Sequence, residues 1–160
     1  MEKYTKLQIW LHWIVFILVI FQYLLHEPIA RAFDFRLEGK EFTQSALITL
    51  HLAFGGLIFI LVASRIWLRV EQGVPEAPSA NILVTLISKT VHWSFYGVLL
   101  LLPITGGAAW FQLSVNAGNA HETLKGILLL LIFLHLCGLL FHCLILKSNL
   151  LKRMHIVGDL

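Results

Sequence analysis

"HETLKGILLLLIFLHLCGLLFHCLILK", residues 121–147, decides how the rest of the chain is read. It is apolar enough to lie in a bilayer, yet it holds three histidines. His135 follows His121 by fourteen residues and His142 follows His135 by seven. At about 100° per residue, all three project from nearly one side of a helix. A polar side chain in hydrocarbon is costly unless something satisfies it, so histidines repeated on one face need a common partner.

The chain around this stretch is of the same kind. It is 58% hydrophobic and 13% charged, with a mean hydropathy of +0.82, well outside the range of soluble domains. Four apolar runs, at about residues 7–25, 46–68, 84–106 and 121–146, are each long enough at a rise of about 1.5 Å per residue to cross a core of about 30 Å. The expected fold is an all-α, four-helix transmembrane bundle, with residues 1–160 forming a single membrane domain. Membrane lipid is its expected surroundings, and no nucleic-acid partner is expected.

Lys3 and Lys6 precede the first run as they would in a signal peptide. The exit "QYLLHEPIARAF" is too bulky for a cleavage site, however, so the run is kept as a mature helix. Lys3, Lys6, Arg65, Arg69, Lys89, Lys147, Lys152 and Arg153 fall on one side of the spans, and Arg31, Arg36, Lys40 and Lys125 on the other. That bias puts both termini in the cytoplasm. Cys137 and Cys143 point about 120° apart and read as small packing residues. No CxxCH occurs for covalent haem attachment.

Between the spans, "PIARAFDFRL" suits a short interfacial helix, and Gly73, Pro75 and Pro78 mark a turn. "AWFQLSVNAGNA" reads as a loop, with Trp110 in an interface belt. Pro103, with Gly106 and Gly107 behind it, is expected to kink or end the third span. Gly55 and Gly56, about one turn beyond His51, admit either a neighbouring helix or a flat cofactor.

A shared partner that satisfies several buried imidazoles is haem iron, which takes one ring nitrogen and leaves the other N–H to a carbonyl or hydroxyl. With both ends of the chain inside, His51 and His121 fall at an outer depth, and His12 and His135 deeper toward the inside. Each layer offers a pair of axial ligands from facing helices. The fourteen-residue step is about 21 Å along a helix, so two haems stack within one bilayer. His92 lies at the depth of His12, and His142 shares a face with His135. Depth counting favours His142 opposite His12, whereas a step of about 31 Å from His121 to His142 would drive the haems to opposite surfaces. Spacing alone leaves that choice open.

"KYTKLQIWLHWIVF", "HLAFGGLIFILVASRIWLR", "VHWSFYGVLLLLPITG", "HETL" followed by "FLHLCGLLFH", and the ending "KSNLLKRM" resemble the bacterial cytochrome b561 family along nearly the whole chain. The resemblance implies two b haems ligated by His12 with His135 and by His51 with His121. His92 and His142 are left to helix contacts or haem propionates. In one respect the chain departs from the family: the connection between the third and fourth spans is short and lacks basic residues, which bears on a substrate site at the outer face.

Two histidines per iron leave no open coordination position and suit electron transfer. The family resemblance implies superoxide oxidation at the periplasmic face of a bacterial inner membrane, with ubiquinone as acceptor. Alternatively, it implies a cytochrome b subunit passing electrons between quinone and a redox protein such as a dehydrogenase or hydrogenase. A metal permease is the reading from another class, weakened because no acidic residue lies in the middle of a span. Lys125, one turn beyond His121, joins Arg31, Arg36 and Lys40 as a candidate attractor of an anionic substrate, against which stand snorkelling and propionate pairing.

Overall fold

The computed structural model describes residues 4–75, 81–145 and 147. Among them are five helices, α1 (Lys6–Leu24), α2 (His26–Leu37), α3 (Ala46–Gln72), α4 (Ile82–Gln112) and α5 (Val115–Leu144), and no strand. All but α2 are long and apolar enough to cross a membrane. Lys3, Pro78, Lys152, Arg153 and nearly all of the "KSNLLKRM" ending lie outside the described residues.

The helix starts follow local capping rules. Thr5 and Gln8 form a reciprocal capping box at α1, and Ser45, Asn81 and Ser114 accept from first-turn amides of α3, α4 and α5. Gly73, at φ 73°, closes α3 as the sequence turn there requires. "PIARAFDFRL" does form a helix, beginning two residues earlier at His26.

The stretch read as the last loop is helical instead. α4 passes through Pro103, Gly106 and Gly107 to Gln112, and α5 begins at Val115, six residues ahead of His121. Only Leu113 and Ser114 join them. Leu113, at φ 53°, turns the chain in the left-handed region, and Ser114 Oγ accepts from the Ala117 amide at 3.3 Å. With the reversal made in two residues, the Asn and Gly residues that suggested a loop are carried in the first turns of α5, their weak propensity overridden by capping and packing. Trp110 is correspondingly not in a lipid belt. It is buried with Ala32 and Ile48 beneath α2.

α1 packs on α3, α3 on α4 and α4, most extensively, on α5. α1 and α5 are joined by the Tyr23 hydroxyl, which donates to the Lys125 carbonyl at 2.7 Å. The main core is Val15, Leu18 and Val19 of α1, Ile58 and Val62 of α3, Tyr96, Val98 and Leu99 of α4, and Leu128 and Leu131 of α5. On α5 this core lies between His121 and His135. Outward-facing side chains are largely apolar, among them Ile60 and Phe133, each 62% exposed, as suits a surface solvated by lipid tails.

α2 lies across one end of the bundle. Arg36 fastens it there, donating from Nη1 to the Trp110 carbonyl at 2.6 Å with its guanidinium 4.6 Å from the Trp110 ring centroid. At the opposite end, the start of α1 is tied to the end of α3 by Thr5 Oγ1 to Gln72 Oε1 and by Gln8 Nε2 to the Gly73 carbonyl, both 3.2 Å.

Candidate functional site

Beneath α2, the four long helices enclose a cavity of about 480 Å³, lined by both His51 and His121. This volume lies within the range of cofactor pockets. His26, Ile29, Phe33 and Asp34 of α2 roof it, Gln22 and Tyr23 of α1 and Glu122 and Lys125 of α5 add polar groups, and the rest of the wall is mainly apolar.

His121 is held in one tautomer. Its Nδ1 lies 2.9 Å from the Leu102 carbonyl and 3.4 Å from Thr105 Oγ1. A carbonyl can only accept, so Nδ1 carries the proton and Nε2 keeps its lone pair, the arrangement a metal-bound imidazole needs. The close approach requires Gly106, where a Cβ would stand 2.9 Å from His121 Cε1. In the same cavity, His51 Nδ1 is buried with no hydrogen-bond partner. Gly56 and Gly107 also line the space, and a Cβ at either would meet nothing within 4 Å. Two imidazoles on one mainly apolar cavity, one with its Nε2 lone pair available and one with an unsatisfied Nδ1, with small residues on the walls, fit a planar iron porphyrin.

The two glycines after His51 divide the two readings given them. Gly55 meets α1, since a Cβ there would stand 3.2 Å from Gln22 Nε2, while Gly56 faces open space in the cavity.

A second histidine group forms toward the opposite end. The His92 and His135 rings meet edge-on at 5.3 Å, with Phe95 against His135 at 5.6 Å. His92 Nδ1 donates to the Ser88 carbonyl at 2.7 Å. His12 lies within electrostatic range of His92 and His135, but its Nδ1 faces Arg65 Nη1 at 3.1 Å. Because a guanidinium only donates, a neutral His12 in this contact carries its proton on Nε2. The tautomer of His12 is thus set by Arg65. His142 is buried beside Phe141.

Of the cations considered as anion attractors, Lys125 alone lines the cavity, with Nζ 2.7 Å from Glu122 Oε1. Arg31 pairs with Glu27 and Lys40 with Glu38, and Arg36 is the α2 anchor. Gln22, Tyr23, His26 and Asp34 also line the cavity, and neither the histidine spacing of the last span nor the Lys and Arg bias points to them. For Gln22 a signal was present: an amide inside the apolar run "ILVIFQYLL" bears the same burial cost as a histidine.

Residues 3–155 match the family described as prokaryotic cytochrome b561. The chain belongs to that family. Members of the prokaryotic cytochrome b561 family are membrane electron-transfer proteins that bind haem b, so this chain is a multi-pass bacterial membrane cytochrome. Among relatives, it is 33% identical to a cytochrome b562 of Cereibacter sphaeroides over 151 residues, covering 94% of both chains. It is 27% identical to a probable superoxide oxidase CybB of Yersinia pestis over 175 residues, covering 96% of both. It is 26% identical to cytochrome b561 homolog 1 of Escherichia coli over 178 residues, covering 96% of this chain and 97% of that one.

Proposed function

We propose that this cytochrome b561 moves electrons across the inner membrane through two b haems, one held by His51 and His121 and the other by His12 and His135. Superoxide is the donor at the α2 end and ubiquinone the acceptor. The observation that supports this most is the cavity under α2, lined by both the fixed His121 tautomer and an unsatisfied His51. A haem held by two histidines supplies one-electron chemistry with no open coordination position.

The protein's own part is to hold, orient and exclude water. Leu102 and Gly106 fix the plane and tautomer of His121, and α2, pinned by Arg36, covers the site. Toward the opposite end, His12 can offer Nε2 only once Arg65 releases Nδ1, which leaves that guanidinium to pair with a propionate. In the overall reaction, two superoxide anions each lose one electron to become dioxygen, and one ubiquinone takes both electrons with two protons. The α2 end is placed at the periplasm and both termini in the cytoplasm, following the Lys and Arg bias.

A second reading, a cytochrome subunit serving a partner dehydrogenase or hydrogenase, is favoured by one specific observation. The alignments with the superoxide oxidase and the Escherichia coli protein run to 175 and 178 positions, longer than this chain of 160, while that with cytochrome b562 runs to 151. The relative that aligns nearly without gaps is also the more identical, at 33% against 27% for the superoxide oxidase, and its name carries no superoxide activity. Stopped-flow mixing of the purified protein with superoxide and a short-chain quinone separates the two. Rapid haem reduction by superoxide followed by quinone-dependent reoxidation supports the first, and no reduction with a copurifying redox partner supports the second. A pyridine haemochrome giving two b haems per chain, with His12→Leu and His51→Leu each removing one, tests the ligand pairs.

A further inference from the structure

Among the described residues, two buried side-chain nitrogen or oxygen atoms lack a hydrogen-bond partner, Gln22 Oε1 and His51 Nδ1, and their residues are already joined. Gln22 Nε2 donates to the His51 main-chain carbonyl at 3.0 Å. Because that carbonyl only accepts, the contact fixes which end of the Gln22 amide is nitrogen, and Oε1 is left as an acceptor without a donor. A histidine that ligates iron through Nε2 carries a proton on Nδ1, and such a proton is almost always given to an acceptor close by. One residue of the pair lacks a donor and the other lacks an acceptor.

We propose that Gln22 is the positioning residue of His51: its amide nitrogen grips the α3 backbone while its oxygen takes the Nδ1–H, fixing the imidazole plane and strengthening it as an iron ligand. The inference rests on His51 being an axial ligand. Gly55, one turn beyond His51, leaves room for the amide, since a Cβ there would stand 3.2 Å from Gln22 Nε2. The arrangement also explains an amide in the middle of an apolar run, where an unsatisfied polar group is penalised.

An acceptor on Nδ1–H makes the imidazole more basic and favours ferric iron, so it tightens haem binding and lowers the reduction potential. The test uses the purified haem-loaded protein. Haem loss to excess apomyoglobin, the ferric low-spin EPR signal and a spectroelectrochemical titration are read for Gln22→Leu and Gln22→Glu. Gln22→Leu is expected to accelerate one phase of haem loss roughly tenfold, to shift one EPR signal and to raise one potential. Gln22→Glu offers an acceptor in either protonation state and is expected to keep slow loss with that potential at or below the parent's. A merely structural role would not give opposite behaviour in Leu and Glu. If haem loss, EPR and potential of Gln22→Leu equal the parent's, or if Gln22→Glu behaves like Gln22→Leu, the role of Gln22 is overturned while the ligand assignment stands. If His51→Leu retains full haem, the ligand assignment itself fails.

Discussion

His121 and Leu102 are locked together across the α4–α5 interface, imidazole Nδ1 to carbonyl oxygen at 2.9 Å. The bond spans the helix pair with the most extensive packing in the bundle, so the ring is held between two packed helices rather than by a loop. Such support is what keeps a ligand oriented before its metal arrives.

The lock leaves no room at Gly106. In Gly106→Ala the new methyl would stand 2.9 Å from His121 Cε1 and 3.0 Å from Nδ1, and because it grows from helix backbone, the imidazole must give way. The expected result is loss of about half the haem per chain, with the remaining haem spectrally normal. Pyridine haemochrome with EPR measures it. Full haem content would show that His121 tolerates displacement.

Lys125 lines the cavity beside Glu122. Lys125→Glu places two carboxylates one turn apart, and a superoxide anion then meets repulsion at the cavity. The second-order rate of haem reduction by superoxide should fall several-fold at low ionic strength, with the gap to the parent narrowing as salt is added. An unchanged rate would remove Lys125 from the electrostatics of the site.

Tyr23 ties α1 to α5 through the Lys125 carbonyl. Tyr23→Phe removes the donor and leaves a carbonyl already within a helix, so the cost should be at the lower end for a hydrogen bond, about 0.5–1 kcal/mol. Reversible unfolding in mixed detergent is the measurement. A loss of several kcal/mol would mean that the hydroxyl also serves the cavity.

Arg36 holds α2 on the bundle through one carbonyl and the face of Trp110. Arg36→Lys keeps the charge but loses the planar stack and fork, and α2 should loosen by about 1–2 kcal/mol. Amide exchange over residues 26–37 is expected to speed up while α4 and α5 stay protected. Uniform exchange in parent and variant would show that α2 is held by its apolar side chains alone.

The four spans were legible because length and hydropathy are local properties of the chain, and the same locality made Gly73 readable as the end of α3. The helical start of α5 was not legible. Asn116, Gly118 and Asn119 have loop-like propensities, and their helicity depends on Leu113 turning in a left-handed conformation and Ser114 capping the next helix. The presence of His51 and His121 on one cavity was legible from depth counting, since both sit near the same end of their helices. The tautomers could not be foreseen. Leu102 and Arg65 reach His121 and His12 through tertiary contacts, and no pattern in the sequence announces which nitrogen each will meet. Trp110 was misplaced for a similar reason: an indole near a span end serves a lipid belt or a buried anchor equally well until α2 is set down on it.

The core of valine, leucine and isoleucine between the histidine layers has one more consequence. Apart from the Tyr96 hydroxyl, its side chains can neither bind nor release a proton. With the two proposed haems on either side of it, that slab would pass negative charge and block hydrogen ions, as the dielectric of a capacitor separates its plates. Every turnover would then do electrical work on the membrane, about 2.3 kcal/mol for one charge carried through 100 mV.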